Sequence, residues 1–230
     1  MTEFFRFPHT PHLLWLGGSD TPRDDKVLDT EEVKSILDGD VIVEEKMDGA
    51  NLGISISSDG EIRVQNRGHY LQPPFGGQFA RLNQWLELHQ DALFDVLSES
   101  LIIFGEWCAA RHSLGYDDLP DWWLAFDVYD RSTQRFWSSE RRNALVRQIG
   151  SSAVPKLHEG RVSVGQLRKW VMEDRSRYRD GTLEGLVIRK EEGGWLESRA
   201  KVVRPDFQQS MSDHWRSRMI EWNHLARPRY

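Results

Sequence analysis

From Leu52 to Val64 the chain alternates, turns and alternates again: Leu52, Ile54 and Ile56, then Ser57-Ser58-Asp59-Gly60, then Ile62 and Val64. A period of two on both sides of a glycine-bearing turn is the pattern of a β-hairpin. The β-branched run Val41-Ile42-Val43 precedes it and enters Lys46, so a short buried strand leads toward the hairpin. Leu101-Ile102-Ile103-Phe104 and Trp123-Leu124-Ala125-Phe126 read as further buried strands, and residues 186–188 and 195–203 as a strand pair. Helices are expected between them. Asp29-Thr30-Glu31-Glu32 carries a cap and a Glu three residues on, leading into Val33, Ile36 and Leu37. Phe79, Leu82, Trp85 and the residues from Leu88 to Leu97 suggest one or two helices, residues 139–149 another, and residues 207–222 a closing helix. Strands separated by helices of uneven length predict an α+β fold of mixed, largely antiparallel sheets flanked by helices.

Composition narrows the function classes. The 230 residues suit one sizeable core, without a linker or a second core, so a single domain over 1–230 is expected. No run reaches the roughly 18 apolar residues of a membrane span, and Met1-Thr2-Glu3-Phe4-Phe5-Arg6 lacks the order of a signal peptide. A single cysteine, Cys108, excludes an internal disulfide and a Cys-rich zinc site. A cytoplasmic enzyme without membrane association is the expectation. Residues 1–130 hold 9 Lys/Arg against 24 Asp/Glu, and residues 131–230 hold 21 against 12. The basic half could supply phosphate contacts to a nucleic acid, or both halves could be ordinary solvated surface.

The most informative stretch is Glu44-Glu45-Lys46-Met47-Asp48-Gly49-Ala50-Asn51. A lysine that ends an apolar strand before Asp-Gly stands where a strand stops at a cavity wall, and glycine lets a ligand approach the backbone. To attack a phosphorus, the amine must be neutral, so its pKa of about 10.4 has to fall through desolvation or neighbouring cations. Four residues alone read more readily as a surface lysine beside an Asp-Gly turn. The remaining segments give the stretch its meaning.

Lys46-Met47-Asp48-Gly49 resembles motif I of the covalent nucleotidyltransferases, which comprise ATP-dependent RNA and DNA ligases and GTP-dependent capping enzymes. Glu45 and Asn51 around it are similar to the RNA ligase 2-like branch, although position 48 there is often His. Asn66-Arg67-Gly68 looks like motif Ia, Phe104-Gly105-Glu106-Trp107 like motif III, and Phe126 falls where motif IIIa places an aromatic ring. Leu183-Glu184-Gly185-Leu186-Val187-Ile188-Arg189 matches motif IV, and Arg199-Ala200-Lys201-Val202-Val203 occupies motif V. These motifs run in order from about residue 40 to 207.

The resemblance implies an adenylyltransferase (ATP-grasp-like nucleotidyltransferase) domain with a short C-terminal helical extension over 208–230 and no OB-fold. It implies an ATP-dependent RNA ligase that joins 5′-phosphate to 3′-hydroxyl RNA ends through a lysyl-AMP intermediate, with Mg²⁺ or Mn²⁺. Lys46 and Lys201 would be catalytic, and Glu45, Arg67, Glu106, Phe126 and Glu184 would join them in holding the nucleotide. Glu184 would also hold the metal, and Asn51, Arg67 and Arg204 would contact RNA. Motif V usually carries a second lysine where this chain has Val203, and Arg204 is its expected substitute. A protein partner could supply end healing or RNA specificity. An RNA end-binding protein with little catalysis, a DNA ligase or a capping-type enzyme are the alternatives.

Taken without the family, the same residues keep two readings each. Glu106 and Glu184 are strand-end carboxylates that could be solvated or bind a ribose or a hard cation. Phe126 could pack in the core or stack on a purine. Lys201, in a strand, needs an anion if buried, and Arg67 is either a turn arginine or a phosphate fork. His69, His112 and Cys108 fit no zinc spacing. Pro8-His9-Thr10-Pro11-His12 is stiffened by proline and is expected to cover a sheet edge or the nucleotide pocket.

Overall fold

The computed structural model describes residues 4–17, 25–209 and 219–227. In chain order its elements are α1 (Thr30–Leu37), β1 (Val41–Lys46), β2 (Ala50–Ile56), β3 (Ile62–Gln65), α2 (Leu82–Val96), β4 (Leu101–Trp107), β5 (Trp123–Asp130) and β6 (Arg135–Phe136). There follow α3 (Ser139–Ile149), β7 (Ser152–Ala153), β8 (Lys156–Gly160), α4 (Val164–Glu173), β9 (Gly185–Glu192), β10 (Trp195–Val203) and α5 (Pro205–Gln209). The strands make two sheets, ordered β10-β9-β1-β8 and β3-β2-β4-β5-β6, with β7 beside β5. Among the strands of the described residues only the β5–β7 pair is parallel. This is the α+β arrangement of largely antiparallel sheets expected from the strand and turn pattern.

Local signals account for the helix ends. Asp29 accepts from the Glu32 amide while the Glu32 side chain accepts from the Asp29 amide, a reciprocal cap on α1. Ser138 and Ser163 cap α3 and α4 through their hydroxyls, and Gly150 ends α3 at φ +75°.

Each sheet buries one face against helices. In the first, Val41, Val43, Leu186, Ile188, Ala200 and Val202 meet Ile36 of α1 and Leu167 and Val171 of α4. In the second, Leu52, Ile54, Ile103 and Trp123 meet Trp85 and Leu93 of α2 and Leu145 and Val146 of α3. Each fully buried Leu, Ile or Val stabilises the fold by about 1.5–3 kcal/mol. The opposite faces hold the charge and the chemistry. Arg142 of α3 donates to Glu44 of β1 at 2.6 Å, and Arg189 of β9 and Arg199 of β10 reach Asp127 of β5 at 2.7 and 2.6 Å. These buried pairs bind one sheet to the other.

The N-terminal segment crosses both sheets. Phe5 stacks on Tyr129 and Phe7 packs on Phe104 and Phe126. Pro11 then accepts from the Lys201 amide at 2.9 Å, and the Leu13 amide donates to the Lys201 carbonyl at 2.8 Å. The proline-stiffened segment thus covers the β10 edge. At the other end, α5 starts at Pro205, and residues 210–218 lie outside the described residues. The expected helix does not extend to 222. Residues 219–227 are not helical: Trp222 bridges Ala110, Leu225 bridges Leu119, and the Asn223 side chain binds the Tyr116 amide and the Cys108 carbonyl. Their backbone groups are used by neighbouring loops instead of by an i−4 ladder. Among the described residues no helix is long and apolar enough to cross a membrane.

Candidate active site

Lys46 ends β1 in the first sheet, and Ala50 begins β2 in the second, so Met47-Asp48-Gly49 carries the chain from one sheet to the other. This link is tightly held. The Asp48 amide donates to the Tyr116 hydroxyl at 2.9 Å, and its carboxylate accepts from the Ser113 and Leu114 amides at 2.7 and 2.6 Å. The Gly49 amide donates to Glu106 at 3.0 Å. A β-carbon at position 49 would stand 2.5 Å from the Trp107 carbonyl oxygen, which is why this turn requires glycine.

Strand periodicity decides which side chains meet. Lys46 pairs with Gly185, Gly185 with Val203, and Lys201 lies one row further along on the same face. Across the cleft, Asn51 of β2 pairs with Glu106 of β4. In β5, Phe126 has no partner, because Phe104 pairs with Asp127 and Gly105 with Ala125. Such an extra residue bends the strand and re-aims its side chain, and the half-buried Phe126 ring packs beside the cluster of Met47, Cys108 and Leu124. Its carbonyl accepts from Arg142 and Arg189, so the charge network also fixes the ring's backbone.

Lys46 Nζ donates to Glu184 Oε1 at 2.6 Å. Burial disfavours the ammonium, but Glu184, Glu106 and Asp48 outweigh it and hold the Lys46 pKa above its ordinary value. Three carboxylates therefore outweigh, at this amine, the neighbouring cation Lys201. Burial in turn pushes Glu184 up to about 8 and Glu106 to about 7, against the pull of Lys46. Glu184 Oε2 is buried without a hydrogen-bond partner, as is Asn51 Oδ1. Among the described residues no group of three or more His, Cys, Asp or Glu is arranged to hold a metal ion. A hard cation that takes one carboxylate and completes its shell with phosphate and water still fits the open Glu184 oxygen.

Lys201 is partly buried and its ammonium bonds to Asp25; burial lowers its pKa, the Asp25 bond works against this, and the Lys46 charge adds to it. Arg67, in the loop after β3, is exposed, and its charge lowers the Glu106 pKa against the dominant effect of burial. Two proposed site residues are placed elsewhere. Glu45 alternates away from Lys46; one oxygen accepts from the Arg177 amide at 2.9 Å and the other is buried without a partner. Arg204 turns outward onto Asp206 and the Met172 carbonyl, each at 3.0 Å, because the strand ends at Val203. Val203 therefore leaves an apolar wall where a second motif V lysine would stand. His112 bonds Gln78, His69 contacts Asn66, and Cys108 is buried.

Sequence reading missed Tyr116, Asp25 and the Glu44–Arg142 pair. Asp25 bonds Lys201 across 176 positions, and no local pattern signals such a contact.

A family model described as RNA ligase matches residues 39–203. Solved structures of Naegleria gruberi RNA ligase share the fold. The form with PPi is 20% identical with a TM-score of 0.61, covering 80% of this chain and 55% of that one. A lysine-to-alanine variant with ATP and Mn is 19% identical, TM-score 0.62, with the same coverage. An arginine-to-alanine variant with ATP and Mn is 17% identical, TM-score 0.63, covering 93% and 60%. The chain spans little more than half the length of these structures. No curated protein sequence matches it.

Proposed function

The chain belongs to the RNA ligase family, and from that membership we propose that it is an ATP-dependent RNA ligase of the RNA ligase 2-like branch. It forms lysyl-AMP on Lys46, adenylates RNA 5′-phosphate ends and joins them to 3′-hydroxyl ends. The observation that carries this reading is the strand-ending Lys46 set against Glu184, Glu106 and Lys201 in one cleft. The ATP, Mn and PPi of the similar Naegleria gruberi structures support the choice of nucleotide and of a divalent metal.

In the first step the Lys46 nitrogen forms a bond to the α-phosphorus of ATP, the bond to the β-phosphate oxygen breaks, and pyrophosphate leaves. Lys46 has to shed its proton for this, and withdrawal of Glu184 from the amine removes the strongest single charge that retains it. Glu184, with its open oxygen, would hold the metal, which when bound supplies positive charge beside the phosphates. Lys201 adds charge at the α-phosphate, and its neighbouring ammonium disfavours a second charge on Lys46.

Phe126 offers a ring face to the adenine, worth about 1–3 kcal/mol for a stacked base. Glu106 accepts from the ribose. In the second step an RNA 5′-phosphate oxygen attacks the same phosphorus and the Lys46–phosphorus bond breaks. In the third, a 3′-hydroxyl displaces AMP and closes the phosphodiester. Asn51 Oδ1 and Arg67 face these RNA steps.

Incubation with α-labelled ATP and Mg²⁺ or Mn²⁺ tests the reading. Covalent label on the protein, absent in Lys46→Ala, is the expected result, followed by sealing of nicked or single-stranded RNA. Absence of label with either metal would overturn it in favour of a binding protein, and label from GTP alone would point to capping chemistry.

A further inference from the structure

The N-terminal segment does more than close a sheet edge. His12 sits in bridge register with Lys201, so both side chains project from the same face, the one that carries Lys46. Its backbone is held on both sides: the His12 amide donates to Lys26 at 2.7 Å and its carbonyl accepts from Leu28 at 2.9 Å. The ring lies edge-on to Trp15 and is only 5% exposed. Yet Nδ1 has no hydrogen-bond partner, and Nε2 is 4.0 Å from the nearer Asp25 oxygen, too far for a bond. A buried imidazole nitrogen left without a partner costs stability and calls for an explanation.

Asp25 provides it. Its carboxylate receives the Lys201 ammonium on Oδ2 and His9 Nδ1 on Oδ1 at 2.6 Å, with His12 beside them. Three groups suited to an anion converge on one carboxylate, in the cleft that the Val203 wall leaves short of a cation.

We propose that His9 and His12, beside Lys201 where it meets the α-phosphate, form a binding site for the β- and γ-phosphates of the nucleotide, the part released as pyrophosphate, and that Asp25 fills this site until the nucleotide displaces it. The proposal rests on the ATP-dependent reading above. His12 then has phosphate oxygens as partners for its N–H, and burial together with the Lys201 charge, which lower its pKa to about 4, keep it a neutral donor. Lys201 exchanges a carboxylate for phosphate and stays paired throughout.

Calorimetric titration with pyrophosphate, ATP and AMP in magnesium tests this on the full chain. His9→Ala and His12→Ala are expected to weaken pyrophosphate and ATP about tenfold each, the loss of one hydrogen bond to a charged group, and AMP much less. Asp25→Asn is expected to tighten pyrophosphate, since a competing charge is removed. Equal losses for ATP and AMP, no loss, or weaker pyrophosphate binding in Asp25→Asn would each overturn the proposal. His9 is exposed, so His9→Ala decides the matter even where His12→Ala does not fold. Lysyl-AMP formation by the unaltered protein is followed in parallel. Pyrophosphate binding that tracks these variants without any lysyl-AMP would sustain the anion site and remove the ligase reading. Lysyl-AMP with an unchanged ATP-to-AMP preference in every variant would do the reverse.

Discussion

Lys46 Nζ stands 2.6 Å from Glu184 Oε1, and the pair favours the protonated amine. The same contact leaves Glu184 Oε2 buried and open. One carboxylate therefore guards the amine and remains available to a cation. Activation of Lys46 and engagement of Glu184 by another positive charge are coupled through this one side chain.

That coupling sets a pH dependence. Free protein holds the Lys46 pKa above its ordinary value, so kcat/KM for self-adenylation is expected to rise roughly tenfold per pH unit between about pH 6.5 and about pH 9. Glu184→Gln removes a charge that raises the amine, so its profile shifts to lower pH while its maximum falls by about 10²–10³. Initial rates of label incorporation at limiting ATP measure both. A pH-independent rate in the unaltered protein contradicts the stored-ammonium account.

Stability has the opposite trend. Glu184 and Glu106 are raised to about 8 and about 7 from an ordinary 4.5, so the folded protein binds their protons more tightly than the unfolded chain. The stabilisation this gives is complete below pH 4.5 and is lost as pH rises through the folded values. The melting temperature without metal should fall between about pH 5 and about pH 8.5, at about 2–4 °C for each kcal/mol lost. Glu184→Gln should flatten the upper part of that decline, which a series of thermal melts would reveal.

Arg189 is almost fully buried and bonds Asp127 and Glu191, while Arg142 bonds Glu44. Removing one partner strands the others in a dry environment, at a cost of about 3–5 kcal/mol. Arg189→Met and Asp127→Asn should both show this loss in urea unfolding. A double variant that loses far less than the two combined would identify them as one unit.

Gly49→Ala places a methyl group 2.5 Å from the Trp107 carbonyl oxygen. The turn must shift, and the Gly49 bond to Glu106 shifts with it. The expected cost is about 1–3 kcal/mol of stability, together with loss of lysyl-AMP formation at temperatures where the chain remains folded. Circular dichroism and label incorporation on the same sample separate the two effects.

Much of this arrangement was legible in the residues. The Asp29 cap, the hairpin around Ser57–Gly60 and the strand ending at Lys46 are local patterns, and each appears in the structure. The divergence of Glu45 from Lys46 was readable too, since neighbours on a strand face opposite ways. What the sequence did not reveal is non-local. The division into two sheets depends on β1 pairing with β9 and on β2 pairing with β4. The charge around Lys46 depends on carboxylates delivered by three separate segments, at positions 48, 106 and 184. Residues 219–227 lie against loops because Trp222 and Asn223 find partners there, a preference that helical periodicity does not encode.

The β10 edge is completed by residues synthesised long before it. Until that strand exists, Pro11 and Leu13 have no backbone to join, so this segment must wait, unseated, for the sheet to be completed. Changes at Pro11 or Leu13 would consequently act on Lys201, although they lie far from it in the sequence.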